Sequence, residues 1–215
     1  SIAEVSAKTN QTGYRWRYDD GNETTATWKA GEGQATVLNE AEPIRLRIQA
    51  AVPSSYSGPF SQAISLYYSK GSYGSTWKKI FTDPANAFVL YDSPHLPDLS
   101  PTSRQLSTQP ELFQAGEFFG ATFDHSISIP LGAYSEYEWA FRATENAGQD
   151  VYFFSLGYDG PLEGSVVLIE GVDETTAARL YYNPGPAIIP LKNWSVYLSL
   201  VLLAGFVLIR YRRLQ

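Results

Sequence analysis

Seventeen consecutive residues near the C-terminus, Asn193 to Ile209 (NWSVYLSLVLLAGFVLI), carry no formal charge. Lys192 precedes them, and Arg210, Tyr211, Arg212 and Arg213 follow at once. As an α-helix rising ~1.5 Å per residue, the run would cover roughly 25 Å, against about 30 Å for the apolar core of a bilayer. Lys192 and Arg210 can lead their charges out to the headgroups along their aliphatic stems. Trp194 and Tyr197 suit the interface at the other end. The run therefore predicts a transmembrane helix over 193–209. Its arginine cluster predicts a cytoplasmic tail over 210–215, with the preceding residues outside the cytoplasm. A buried core helix is the competing reading, but no amphipathic period appears. Ser199, Ala204 and Gly205 would let the helix pack closely against a partner helix. The expected partners are thus the lipid bilayer and other integral membrane subunits, and the expected location is the cell (inner) membrane, single-pass.

The residues before the run are long enough to bury a sizeable core. Charged residues make up 18% of the chain and aromatics 14%, with 17 Gly and 13 Pro, a mixture that suits a turn-rich β-protein. Cysteine is absent, which excludes a catalytic thiolate, a disulfide scaffold and cysteine-held metal. The net charge is −6, and three of the sixteen basic residues lie in the tail, so the residues before it stand nearer −9. Nucleic acid is not an expected partner of so acidic a surface. The numbering opens at Ser1, and an outward domain needs export, so a removed signal peptide is expected.

Along the chain, residues 1–12 read as a lead-in or an edge strand. Tyr14–Tyr18 reads as a strand, Asp19-Asp20-Gly21-Asn22 as a turn and Thr24–Trp28 as its hairpin partner. Ile44–Val52 alternates cleanly. Ile44, Leu46, Ile48 and Ala50 are expected on a buried face and Arg45, Arg47 and Gln49 on a wet one. Gln62–Ser69 and Trp77–Phe81 read as a hairpin, followed by a short strand at Phe88–Tyr91. Residues 93–110 hold four prolines and no period, making this the longest candidate loop, either a partner contact or an ordered crossover between sheets. Phe113, Phe118 and Phe119 are expected to anchor its far end. Ser126–Pro130 and Tyr134–Thr144 read as strands, the latter with Tyr137, Trp139 and Phe141 inward and Glu136, Glu138 and Arg142 outward. Val151–Leu156 and Val166–Ile169 complete about ten strands. Gly171–Leu180 leaves room for one helical turn. The prediction is an all-β, antiparallel β-sandwich over 1–180, a Pro/Gly-rich connector over 181–192, and the helix. A closed barrel is the weaker alternative.

Few residues suggest chemistry. Asp19, Asp20, Asn22 and Glu23 are weak calcium candidates, without the spacing of a helical calcium loop. Asn10, Asn22 and Asn193 open glycosylation triplets. His125 follows Asp124, but no serine in a nucleophile elbow accompanies them, and His95 is 30 residues away. Glu136 and Glu138 lie on one strand face about 7 Å apart, a separation a glycosidase would use, though a solvated face is commoner. Neither an enzyme nor a cofactor is expected. Tyr56, Tyr73 and Trp77 in loops are the candidate aromatic contacts for a glycan.

Two resemblances add to this. Tyr14–Trp28 with Ile44–Gln49 (YRWRYDDGNETTATW … IRLRIQ), followed by Tyr134–Leu156, resembles a β-rich domain repeated in secreted and envelope proteins of bacteria. That resemblance covers about 14–170 and implies structural rather than catalytic sites. Ile189-Pro190-Leu191 before Trp194, the apolar run and the arginines resemble the Pro-Glu-Pro or Ile-Pro-Thr-Leu sorting signals read by exosortase-type transpeptidases. Neither signal is present in full, and Trp194 stands one position closer to the proline than in the Ile-Pro-Thr-Leu form. The expectation is a permanently anchored, non-enzymatic accessory or structural subunit of an envelope assembly. The alternative is a recognition module for a glycan or envelope protein, processed by such an enzyme.

Overall fold

The computed structural model describes residues 8–107, 109–162 and 165–184, and these are all-β. The residues expected to form the anchor, Trp194, Tyr197, Ser199, Ala204, Gly205, Arg210, Arg212 and Arg213, and most of the expected connector, lie outside them. Among the described residues no helix is long and apolar enough to cross a membrane.

Two sheets face each other in a sandwich-like arrangement. The first joins β1 (Asn10–Tyr18), β3 (Ile44–Val52) and β9 (Ala133–Ala143). The far edge of β9 is shared by β6 (Phe88–Leu90) and β7 (Leu112–Phe119). The second runs β2 (Thr36–Leu38), β12 (Ala178–Tyr182), β10 (Asp150–Asp159), β4 (Phe60–Lys70) and β5 (Lys78–Lys79). β11 (Val166–Leu168) lies on β10, and β8 (His125–Ile129) on β4.

The register of β3 against β9 sets Leu46 opposite Trp139 and Ile48 opposite Tyr137, so both strands send their apolar residues to the same side. There they meet Leu66, Tyr68, Tyr152 and Phe154 of the second sheet. Phe88 sits at the centre, edge-on to Tyr152 at 4.9 Å, Phe154 at 5.2 Å and Tyr68 at 5.4 Å. Burying side chains of this size contributes about 1.5–3 kcal/mol each.

Ile44–Val52 has the boundaries its alternation predicts, but several expectations fail. The pairing is not wholly antiparallel: β7 runs parallel to β9, and β2 parallel to β12. Thr24–Trp28 is not a strand. The Asn22 side-chain oxygen accepts from the Thr24 and Thr25 amides, and the Ala26 amide bonds Asn22 O, so the segment curls. Only a bridge between Arg17 and Trp28 survives of the hairpin, and β1 pairs β3 instead. The single turn at Asp173–Ala177 leads into β12, whose last residues, Tyr181 and Tyr182, belong to the sheet rather than to a connector. β2, β7 and β12 lack strong alternation and are not evident from the sequence. β7 is also interrupted by a bulge at Gly116, where a Cβ would stand 2.1 Å from Glu136 O.

The largest correction concerns the outward face of β3. Arg45, Arg47 and Gln49, with Glu136 and Glu138 of β9, are not wet: all five are fully buried.

Candidate functional site

The buried polar face is built in cross-strand rows. Register places Arg15, Arg47 and Glu138 in one row, Arg17, Arg45 and Ala140 in the next, and Gly13, Gln49 and Glu136 in a third. Two rows thus set arginine against arginine, which by itself destabilises a sheet. Glu138 offsets this. Its Oε2 accepts from Arg47 Nε at 2.7 Å and Arg17 Nη1 at 3.3 Å, and its Oε1 from Arg45 Nη1 at 3.4 Å. Desolvation acts to raise the Glu138 carboxyl, but the charges of Arg47, Arg17 and Arg45 outweigh it and hold the group below the ordinary carboxylate range. Burial lowers Arg17 in spite of Glu138. At Arg47 burial acts in the same sense, but Glu138, Glu23 and Glu136 together drive its pKa above the ordinary value.

The remaining donors of these arginines fold the β1–β2 connection inward. Arg17 donates to Glu23 O at 3.0 Å and Ala26 O at 2.8 Å, and Arg45 to Gly21 O at 2.7 Å and to the Asp19 carboxylate. Arg15 and Arg17 stand on the Trp28 ring, each guanidinium carbon 4.4 Å from its centroid, a cation–π contact.

Residues 93–107 lie over this face, which explains both its burial and their lack of period. Glu136 accepts the Gln105 amide at 2.9 Å and the Leu106 amide at 3.0 Å. Glu23 accepts the Ser103 amide at 2.7 Å, and Glu32 the Ser107 amide at 3.1 Å. In the other direction Arg47 donates to Ser103 O at 2.8 Å and Gln49 to Ser107 O at 2.9 Å. Leu96 is buried against Phe118 and Ala140. The long loop is thus an ordered cover strapped down by charges, and of the three residues expected to anchor its far end Phe118 and Phe119 are buried while Phe113 is only half-buried.

Residues singled out by sequence are largely committed to such contacts. Of the calcium candidates, Asp19 binds Arg45 and Ser93, and Glu23 binds Arg47 and Ser103. Asp20 accepts from Thr27, and Asn22 closes its own turn. Among the described residues no group of three or more His, Asp or Glu is placed to hold a metal. Asn10 lies within β1, half-buried, with its side-chain oxygen bonded to Tyr56 OH at 2.7 Å, whereas Asn22 is exposed. Tyr56, Tyr73 and Trp77 are half-buried rather than free platforms. Tyr73 packs edge-on to Trp77 at 5.4 Å, and its hydroxyl donates to Val172 O at 2.7 Å. His125 approaches Glu117 at 3.1 Å, and its sequence neighbour Asp124 takes Lys79 and Ser65 instead. His95 is exposed elsewhere.

Sequence reasoning missed this network, although one signal was present. Arginines at i and i+2 on two strands, with glutamates at i and i+2 on a third, match in period and oppose in sign. A comparison with protein-family models, with curated proteins and with solved structures finds no match to this chain.

Proposed function

We propose that the protein is a non-catalytic, membrane-anchored β-sandwich exposed outside the cytoplasm, an accessory or structural subunit of a membrane or envelope assembly. The observation that carries this reading is the uncharged run Asn193–Ile209 between Lys192 and three arginines. The described residues support the non-catalytic part. The carboxylates Glu136 and Glu138 are buried and engaged by arginines and backbone amides, so they serve to hold a cover rather than to meet a substrate. Partner contacts through Ser199, Ala204 and Gly205, and a cytoplasmic Arg210–Arg213 tail, belong to the same proposal.

Alkaline washing of membranes that carry the full chain tests it. The native protein stays in the pellet. Leu202→Arg, which places a charge at mid-run at about 2.5–3.5 kcal/mol, releases a large fraction. Recovery of full-length, unaggregated native protein in a detergent-free soluble fraction would contradict the anchor.

A further inference from the structure

One flank of the sandwich is left open by its own strands. β7 pairs β9 along one edge, and β8 pairs β4 along one edge. Their other edges face each other across a groove of about 200 Å³, lined by Gln114, Ala115, Glu117, Ser126 and Ser128. Among the described residues no strand pairing joins them. The contact across the gap is a side-chain one, Gln114 Nε2 donating to Ser128 O at 3.4 Å. A glutamine amide here does what a backbone N–H does in a ladder, so the edges stand farther apart than the ~4.8 Å of paired strands.

Backbone alternation shows what each wall presents. Ser128 O points into the groove, so the Ser126 backbone groups do too, while Ile127 and Ile129 turn theirs to β4. Opposite, the Leu112 amide bonds Gly132 O, which turns the backbone groups of Phe113 and Ala115 into the groove. Beyond Gly116 the edge of β7 is closed by residues 99–102, so the open stretch is short and bounded.

Two further observations describe an occupant. Leu112, two residues before Gln114, and Leu131, three after Ser128, are 79% and 45% exposed. The wall is acidic. Glu117 lines the groove with its side chain about one-third exposed, its Oε2 turned inward 3.1 Å from His125 Nε2. An unpaired strand edge calls for another strand, and the accessible part of a carboxylate in the groove wall favours a cationic side chain.

We propose that this groove receives an extended segment of a partner polypeptide. The segment pairs along the free edge of β8, sets a basic side chain on Glu117, and rests an apolar one on Leu112 and Leu131. This goes beyond the anchor and holds whatever the C-terminal run does.

The test uses the full chain in detergent micelles and an end-blocked heptapeptide, Val-Lys-Val-Thr-Val-Lys-Val, with amide hydrogen exchange as readout. Binding slows exchange at the Ser126 and Ser128 amides at least tenfold. A proline at the peptide's centre, or glutamate in place of both lysines, abolishes the effect. Ser128→Pro removes an outward amide without touching the β4 ladder and abolishes binding, while Glu117→Gln weakens it about tenfold. The proposal is overturned if millimolar peptide leaves Ser126 and Ser128 unprotected on the folded protein, or if the glutamate peptide binds equally well. It is also overturned if these amides become protected with rising protein concentration and no peptide, which would mean that a second copy closes the edge.

Discussion

On one face of β3, Ile44, Leu46, Ile48 and Ala50 meet the second sheet. On the other, Arg45, Arg47 and Gln49 meet residues 93–107, and no residue on either face is more than 1% exposed. The first face is dry because water gains nothing by reaching it. The second is dry because each charge is matched, and Glu138, without which three arginines would face one another, is the centre of that match. Apolar burial is roughly additive and indifferent to partners. Ionic burial is conditional: desolvating the ions costs much of what their attraction returns, and one missing partner leaves a charge stranded. The comparison teaches that the same two-residue alternation builds two interiors with opposite sensitivities.

Removing one partner on each side sharpens the difference. Glu138→Gln should destabilise by about 3–5 kcal/mol, by stranding Arg17 and taking one of the carboxylates from Arg45 and Arg47. Leu46→Ala should cost about 2–5 kcal/mol from lost transfer and cavity. Denaturant unfolding measures both. Adding Arg17→Met to Glu138→Gln should recover part of the first loss, because Arg17 is then no longer left buried without its carboxylate, and no such rescue exists for the second.

Acid should separate the faces next. The Glu138 pKa is depressed in the folded state, so its contribution is fully present above the ordinary glutamate value of 4.5 and is lost as pH falls through the lower folded value. Asp159, held low chiefly by its hydrogen bond from Lys79, and Asp173, held at about 2 by the Thr175 hydroxyl and the Thr175 and Thr176 amides, act in the same direction. Stability measured from pH 7 down to 3 should therefore fall, and Glu138→Gln should show a shallower fall than the native chain. Leu46→Ala should keep the native slope.

A local change comes third. Glu136→Gln should speed hydrogen exchange at the Gln105 and Leu106 amides, which bond its carboxylate, while β10 amides in the second sheet keep their protection. Equal acceleration in both places would mean that the cover does not open separately. The smallest effect belongs to the outer side of the second sheet, where Lys79 bridges Asp124 and Asp159 at 2.7 Å each in partial contact with water. Lys79→Met should cost at most about 1 kcal/mol, and added salt should shrink that further, because exposed pairs are screened.

The sequence displayed one half of this comparison and hid the other. Alternation in β3 and β9 assigned Ile44, Leu46, Ile48, Tyr137, Trp139 and Phe141 to the core face, where they lie, because side-chain direction is a local property of a strand. It could not say that Arg45 and Glu138 are dry. Burial there depends on residues 93–107, some thirty to sixty positions away, whose prolines and serines carry no period. β7 was hidden because a bulge at Gly116 breaks its alternation, and β2 because three residues are too few to show one. Tyr56 and Tyr73 looked free in their loops, and long-range bonds to Asn10 and Val172 tie them down. The β7–β8 groove was illegible for the same reason, since an unpaired edge is a property of topology.

The double-mutant cycle of Arg47→Met and Glu138→Gln, read by equilibrium unfolding, tests most directly that the charged face is a cooperative interior. The account predicts strong non-additivity, the double variant being about 2–3 kcal/mol more stable than the two single losses imply. Additivity within about 0.5 kcal/mol would contradict it, and would mean that these residues meet water rather than one another.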